Sequence, residues 1–244
     1  MNYNWNWLIY WSPNPEGTGT YLDMLLTGLQ WTIATALVSW VIAFVLGVTV
    51  GVLRTLNNRA IAFAGDAYVE IFRNVPLLVQ MFLWFFVIPE IVPAQLGLWL
   101  KQMPNSAFVT ATVCLGFYTS ARVAVQVQAG IESLSRGQRM AGLAVGLTTF
   151  QVYRELLLPL GLRIIVPPLT SEFLNNLKNT SVGLTIGLLE LTSRTRTMQE
   201  YTFQVFEAFT AATLLYLLLN LVFVALSQWI ERAVAVPGLI AIEK

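Results

Sequence analysis

Apolar positions along this chain fall into long uncharged runs separated by short polar punctuation. Residues 28–53 form 26 consecutive positions without a charge. As a helix that run would be about 39 Å long, more than the ~30 Å of hydrocarbon in a bilayer. Residues 208–230 form a second clean run. Residues 102–121 are uncharged, and beyond Arg122 the apolar pattern resumes to Ile131. Residues 74–93 carry only Glu90 and are predicted to continue a helix begun near Ala60, whose polar face holds Asp66, Glu70 and Arg73 at helical-neighbour spacing. Residues 164–189 are the weakest run, because Glu172 and Lys178 fall inside it. The pattern predicts an all-α protein with five transmembrane helices.

One segment departs from this pattern. Residues 137–169 read GQRMAGLAVGLTTFQVYRELLLPLGLRIIVPPL, amphipathic and broken by glycine and proline, built for docking rather than spanning. Gly146 is expected to end a first short helix. Thr148 or Thr149 can cap a second, with Phe150, Tyr153 and Leu157 at i, i+3 and i+7. Pro159, with no N–H to donate, is expected to stop it.

Composition agrees with a membrane class: 56% of residues are hydrophobic and 11% charged, where soluble domains carry roughly 25% charged residues. Charge distribution sets the orientation. Arg54, Arg59, Arg136, Arg139, Arg154, Arg163, Arg232 and Lys244 flank one side of the spans, and Lys101, Arg194 and Arg196 the other. The positive-inside bias therefore places the N-terminus outside and the C-terminus in the cytoplasm. Residues 1–22 form an interfacial segment whose aromatics favour the membrane–water boundary. Residues 23–232 form the membrane domain, with a cytosolic loop at 132–160, and 233–244 form a cytoplasmic tail. Residues 1–27 lack Lys and Arg, so the basic start of a cleaved signal is missing.

Other classes recede. A net charge of +1 leaves no basic face to neutralise many phosphates, so nucleic acid is not expected as a partner. The absence of histidine removes His-based catalytic triads and most transition-metal sites. The lone Cys114 permits no intrachain disulfide and reads as a packing residue. The three lysines follow Leu100, Leu177 and Glu243, so there is no P-loop. Neither a cofactor nor an enzymatic activity is expected.

Polar residues inside the spans are the candidate chemistry, since such groups are costly at membrane depth and generally face a cavity or a partner. Glu172, Asn175, Asn176 and Asn179 follow i, i+3, i+4 and i+7 and share a helix face. They either line a pathway or hydrogen-bond neighbouring helices. Arg122 shares a face with Thr119 and Gln126. Its guanidinium could grip a carboxylate bidentately, pair with Glu172 or Glu90, or snorkel towards the cytosol. Five helices with one polar stripe wall in only part of a path, so a dimer of related halves is inferred.

Several stretches carry a family resemblance. The 137–169 segment resembles the cytosolic loop of ABC importer permeases, in which Glu-Ala-Ala precedes a glycine and later a Leu-Pro. Met140, Ala141 and Gly142 stand at the Glu-Ala-Ala positions, whereas Gly146, Leu158 and Pro159 match. FRNVPLLVQMF at 72–82 and LKNTS at 177–181 resemble the polar amino-acid permeases. YTSARVAVQVQAGI at 118–131 and PPLTSEFLN at 167–175 are most similar to those for glutamate and aspartate. The likeness covers roughly 28–230. It implies a subunit of the type I importer fold in the bacterial inner membrane, importing a polar amino acid by alternating access. Its implied partners are a second permease, read as forming a heterodimer, a pair of cytosolic ATPase subunits, and a periplasmic solute-binding protein meeting the outer loops at 93–105 and 192–206. Met140, Ala141, Gly142, Ala144, Gly146 and Phe150 would couple to the ATPases. The alternative is an ion-coupled secondary transporter or a channel subunit, which would leave the cytosolic loop unexplained.

Overall fold

A computed structural model describes residues 3–234; residues 1–2, the side chain of Arg136, and residue 235 onward, with most of the expected tail and the Lys244 charge, lie outside the described residues. Every extended element among these residues is a helix, apart from a single bridge between Pro13 and Thr20. Three helices are long and apolar enough to cross a membrane unbroken: α1 (Tyr21–Arg54), α5 (Ser106–Glu132) and α10 (Val205–Val234). Two bent pairs complete up to five crossings: α2 (Arg59–Asn74) with α3 (Leu77–Ile91), and α7 (Thr149–Ile164) with α8, which runs Val166–Asn179 and tightens to a 3-10 turn ending at Ile186. Shorter helices are α4 (Ala94–Gln102), α6 (Arg136–Ala144) and α9 (Leu191–Thr202). Two outer stretches expected as loops are thus largely helical.

The expected continuity of the second span does not hold. Val75 is extended (φ −87°, ψ 128°), and α3 leaves α2 at 100°. Pro76 explains this, because its ring disfavours helical geometry in the preceding residue and it has no N–H to donate. Pro159 behaves differently from expectation: α7 runs through it to Ile164. The preceding residues, Val152–Leu157, are wound as a π-turn. Widening the helix there relieves the clash between a proline ring and the carbonyl four residues back. Leu83–Val87 winds the same way just ahead of Pro89.

The chain divides into two compact units. One gathers the residues up to Ser39, Pro76–Leu115 and Asn175–Val222. Its core joins Tyr21, Met24 and Leu25 of α1 to Leu191 and Met198 of α9 and to Ala208 of α10. Ile9 and Tyr10, from a 3-10 turn at Trp7–Trp11, pack against that core. The Tyr3 hydroxyl and the Asn6 amide both donate to the Glu207 carboxylate, and the Tyr10 hydroxyl donates to the Glu207 carbonyl. The N-terminal segment is thereby tied to the start of α10 as well as packed on α1.

The other unit gathers Trp40–Val75, Gly116–Leu174 and the chain from Phe223 onward. Val123, Val127 and Ile131 of α5, Val152, Tyr153 and Leu157 of α7, and Ile165 and Leu169 form its core. Gly47 and Gly51 of α1 make this packing possible. A Cβ on Gly47 would sit 2.5 Å from Val123 Cβ, and one on Gly51 2.6 Å from Val127 Cβ. Four-residue glycine spacing lets two helix backbones approach closely, the usual source of attraction where lipid offers no hydrophobic drive.

Candidate functional site

Arg122 sits on α5, on the edge away from the face where Val123 and Val127 close on α1. It is half-buried. Tyr118, one turn earlier, holds the guanidinium: Nη2 donates to the phenol oxygen at 2.8 Å, Nη1 to the carbonyl at 3.5 Å, and Cζ lies 4.1 Å from the ring centroid. No carboxylate closes an ion pair within 4 Å of Arg122 among the described residues. Glu172, half-buried on α8, lies within electrostatic reach. Glu90, the other expected partner, instead pairs with Lys101 at 2.6 Å. On the same face of α5, Thr119 is buried and Gln126 Oε1 is buried without a hydrogen-bond partner. A guanidinium has five N–H donors, so this one keeps donors free for an anion, next to an amide oxygen that can accept.

The amides expected on α8 divide by environment. Asn176 is wholly buried, and its Nδ2 donates to the Ala36 carbonyl at 3.0 Å and to Ser39 Oγ at 2.9 Å. It ties α8 to α1. Asn175 and Lys178 are exposed, and Asn179 is half-buried where the 3-10 turn begins. Adjacent residues of a helix point about 100° apart, so a four-residue polar set spans both a buried edge and an open one.

The α6–α7 hairpin is held at both corners. The Leu147 amide donates to the Gly142 carbonyl at 3.2 Å and the Gly146 amide to the Leu143 carbonyl at 3.0 Å, the pair of bonds that closes a helix on a left-handed residue. Gly146 supplies that residue, at φ +92°. Thr148 then caps α7 in a reciprocal box: its hydroxyl accepts from the Gln151 amide, and Gln151 Oε1 accepts from the Thr148 amide at 2.8 Å. Met140 is 64% exposed, Val145 78% and Phe150 71%. Ala141, Ala144 and Gly146 are exposed beside them. Gly142 is turned the other way, buried, where an added Cβ would meet Val152 at 3.0 Å. The hairpin thus presents an exposed apolar face beside a corner closed by these hydrogen bonds.

Sequence reasoning passed over Glu190. It is wholly buried, and its carboxylate accepts from the Ser193 amide at 2.8 Å, the Thr192 amide at 2.8 Å and the Tyr216 hydroxyl at 2.9 Å. Next to it the Leu191 amide donates to Thr32 Oγ1 at 3.1 Å. One carboxylate therefore starts α9 and fastens it to α10, while its neighbour fastens it to α1. Burial pushes the Glu190 carboxyl above its usual range, although these donors favour the charged form. The signal was slight, because glutamate is not among the favoured N-cap residues.

Comparison with known proteins finds relatives along most of the chain. Residues 43–236 match the family described as "Binding-protein-dependent transport system inner membrane component". The chain is 45% identical over 241 residues to the glutamate/aspartate import permease protein GltJ of Escherichia coli K12, covering 98% of each. It is 34% identical to the probable glutamine ABC transporter permease protein GlnM of Bacillus subtilis, over 82% of this chain and 88% of that one. Among solved structures, an amino acid ABC transporter with histidines superposes with a TM-score of 0.74 at 27% identity, covering 87% of this chain and 95% of that one.

Proposed function

The chain belongs to the binding-protein-dependent transport system inner membrane components, and from that premise we propose that it is the permease through which an ATP-driven importer passes glutamate or aspartate. Arg122 is the observation that carries the acidic substrate. An intramembrane guanidinium held in place by Tyr118, and closed off by no carboxylate among the described residues, is matched to a side-chain carboxylate. The 45% identity to a glutamate/aspartate permease supports the same reading. Thr119, Gln126 and Glu172 flank the guanidinium; Asn175 and Asn179 extend the polar surface along α8, with Asn176 as its anchor.

The permease performs no bond chemistry. Nucleotide hydrolysis belongs to separate cytosolic subunits, which press on the exposed face of the α6–α7 hairpin, while a second permease completes the pathway and a solute-binding protein delivers substrate from outside. Movement of the hairpin passes through Val152, Tyr153 and Leu157 into α5, to which they are packed. Arg122 lies about 13 Å up that helix from Ile131. An ion-coupled alternative would rely on the carboxylates expected within the spans, Glu90 and Glu172, and Glu90 is paired with Lys101.

Arg122→Gln tests the assignment. A hydrogen bond to a charged group contributes about 1.5–3 kcal/mol, so uptake of glutamate or aspartate is expected to fall roughly ten- to hundredfold, well beyond the loss for a neutral analogue. Lysine should restore part of it, since it keeps the charge but not the fork. Equal losses for acidic and neutral substrates would assign Arg122 to structure instead.

A further inference from the structure

At the base of the α6–α7 hairpin lies a cavity of about 370 Å³, within the ~300–1,000 Å³ typical of small-molecule sites. It belongs to neither the Arg122 cluster nor the exposed face of the hairpin. Thr55, Glu132, Ser135, Arg139 and Tyr153 line it, over an apolar floor that includes Leu157. Three features set its chemistry. The Arg139 guanidinium lies 5.8 Å from the centroid of the Tyr153 ring and pairs with no carboxylate within 4 Å among the described residues. Glu132, an exposed lining residue, accepts from Gln128 Nε2 at 2.9 Å and pairs with no cation within 4 Å among the described residues. Ser135, the N-cap of α6, lines the cavity, and its side chain accepts from none of the first amides of that helix. The Tyr153 ring is immobilised, its hydroxyl donating to the Thr55 carbonyl at 2.9 Å.

Two opposite charges that share a cavity without neutralising each other call for a solute carrying both. We propose that this cavity binds a free amino-acid zwitterion from the cytosolic side, its carboxylate at Arg139 and the α6 N-terminus, its ammonium at Glu132. This rests on the amino-acid import reading above. The helix terminus adds to the guanidinium, since its amides carry partial positive charge. An occupant would bridge the end of α5, the first turn of α6 and the wall of α7. Binding one arrangement of these helices better than another shifts the population towards it. The hairpin would be held against the motion that drives transport, so the product of import restrains further import.

The test is uptake into proteoliposomes holding the whole importer, with ATP inside and binding protein and labelled glutamate outside. Preloading the lumen with L-glutamate at about four times its dissociation constant should slow initial uptake about fivefold, the factor by which a ligand specific for one state depletes the other. Luminal 2-oxoglutarate, which lacks the ammonium, and 1,4-diaminobutane, which lacks any carboxylate, should have no such effect. Arg139→Gln and Glu132→Gln should each abolish the slowing while uptake into empty vesicles stays at the wild-type rate. The headgroup of phosphatidylethanolamine carries the same pair of charges, so vesicles with and without that lipid are compared. Slowing that is equal in both supports a soluble ligand, and slowing lost when the lipid is present assigns the cavity to the headgroup and overturns the proposal. Persistent slowing in both variants, or none in the wild type, overturns it as well. Failure of wild-type uptake into empty vesicles would instead defeat the transport reading itself.

Discussion

Glu190 illustrates how much one side chain can organise. Removing it by Glu190→Ala would leave the amides of Thr192 and Ser193 and the Tyr216 hydroxyl without their acceptor. Loss of a cap costs typically about 1 kcal/mol, and buried donors left unpaired add about 1–3 kcal/mol each. The ionisation of Glu190 also gives stability a pH dependence of known sign. Its carboxyl titrates higher in the folded protein than when unfolded, because burial disfavours the charge. The folded state therefore holds the proton more tightly, and the contribution is fully present below the unfolded carboxylate pKa of about 4.3. It declines as pH rises from there through the raised folded value. Thermal unfolding of the assembled complex, followed from acid to neutral pH, should show wild type losing stability relative to Glu190→Gln; parallel curves would mean the carboxyl does not titrate differently on folding. None of this was legible from the chain, since the carboxylate belongs to no periodic stripe and its partners lie in two different helices.

Among the elements, the α6–α7 hairpin was read with most success where local chemistry decides, and with least where winding changes. Gly146 and a cap at Thr148 or Thr149 could be identified in advance because a left-handed corner and an N-cap each demand particular residue types. Pro159 was misjudged because a π-turn lets a helix absorb a proline, and no residue pattern at Val152–Leu157 announces that winding. The same reasoning makes Gly146→Val an informative change. A left-handed backbone costs a non-glycine residue about 1–2 kcal/mol, and a β-branched one more. With nothing within 4 Å of the added carbon, the effect is conformational rather than a clash. Substrate-stimulated ATP hydrolysis in the purified complex is expected to fall while membrane insertion is kept; unaltered coupling would remove the hairpin corner from the transmission path.

For the molecule as a whole, the long uncharged runs located α5 and α10 to within four residues and α1 to within seven, because desolvation over twenty positions overwhelms local detail. The bent pairs were harder, since Pro76 reorients a helix without altering its hydropathy. The polar set on α8 yields a test at this scale. In a Cys114→Ser background, cysteines at Asn175 and Asn179 should react with a water-soluble thiol reagent in at least one transport state, and one at Asn176 should stay protected in all. Protection of all three would mean that no aqueous path reaches this helix.

The ties from Tyr3 and Asn6 to Glu207 span 204 and 201 residues. A ribosome adding about 5–20 residues per second needs roughly 10–40 s to cover that distance. Tyr3 and Asn6 therefore wait at least that long for this fastening. A chain stopped short of Glu207 would have only the packing of Ile9 and Tyr10 to hold that segment.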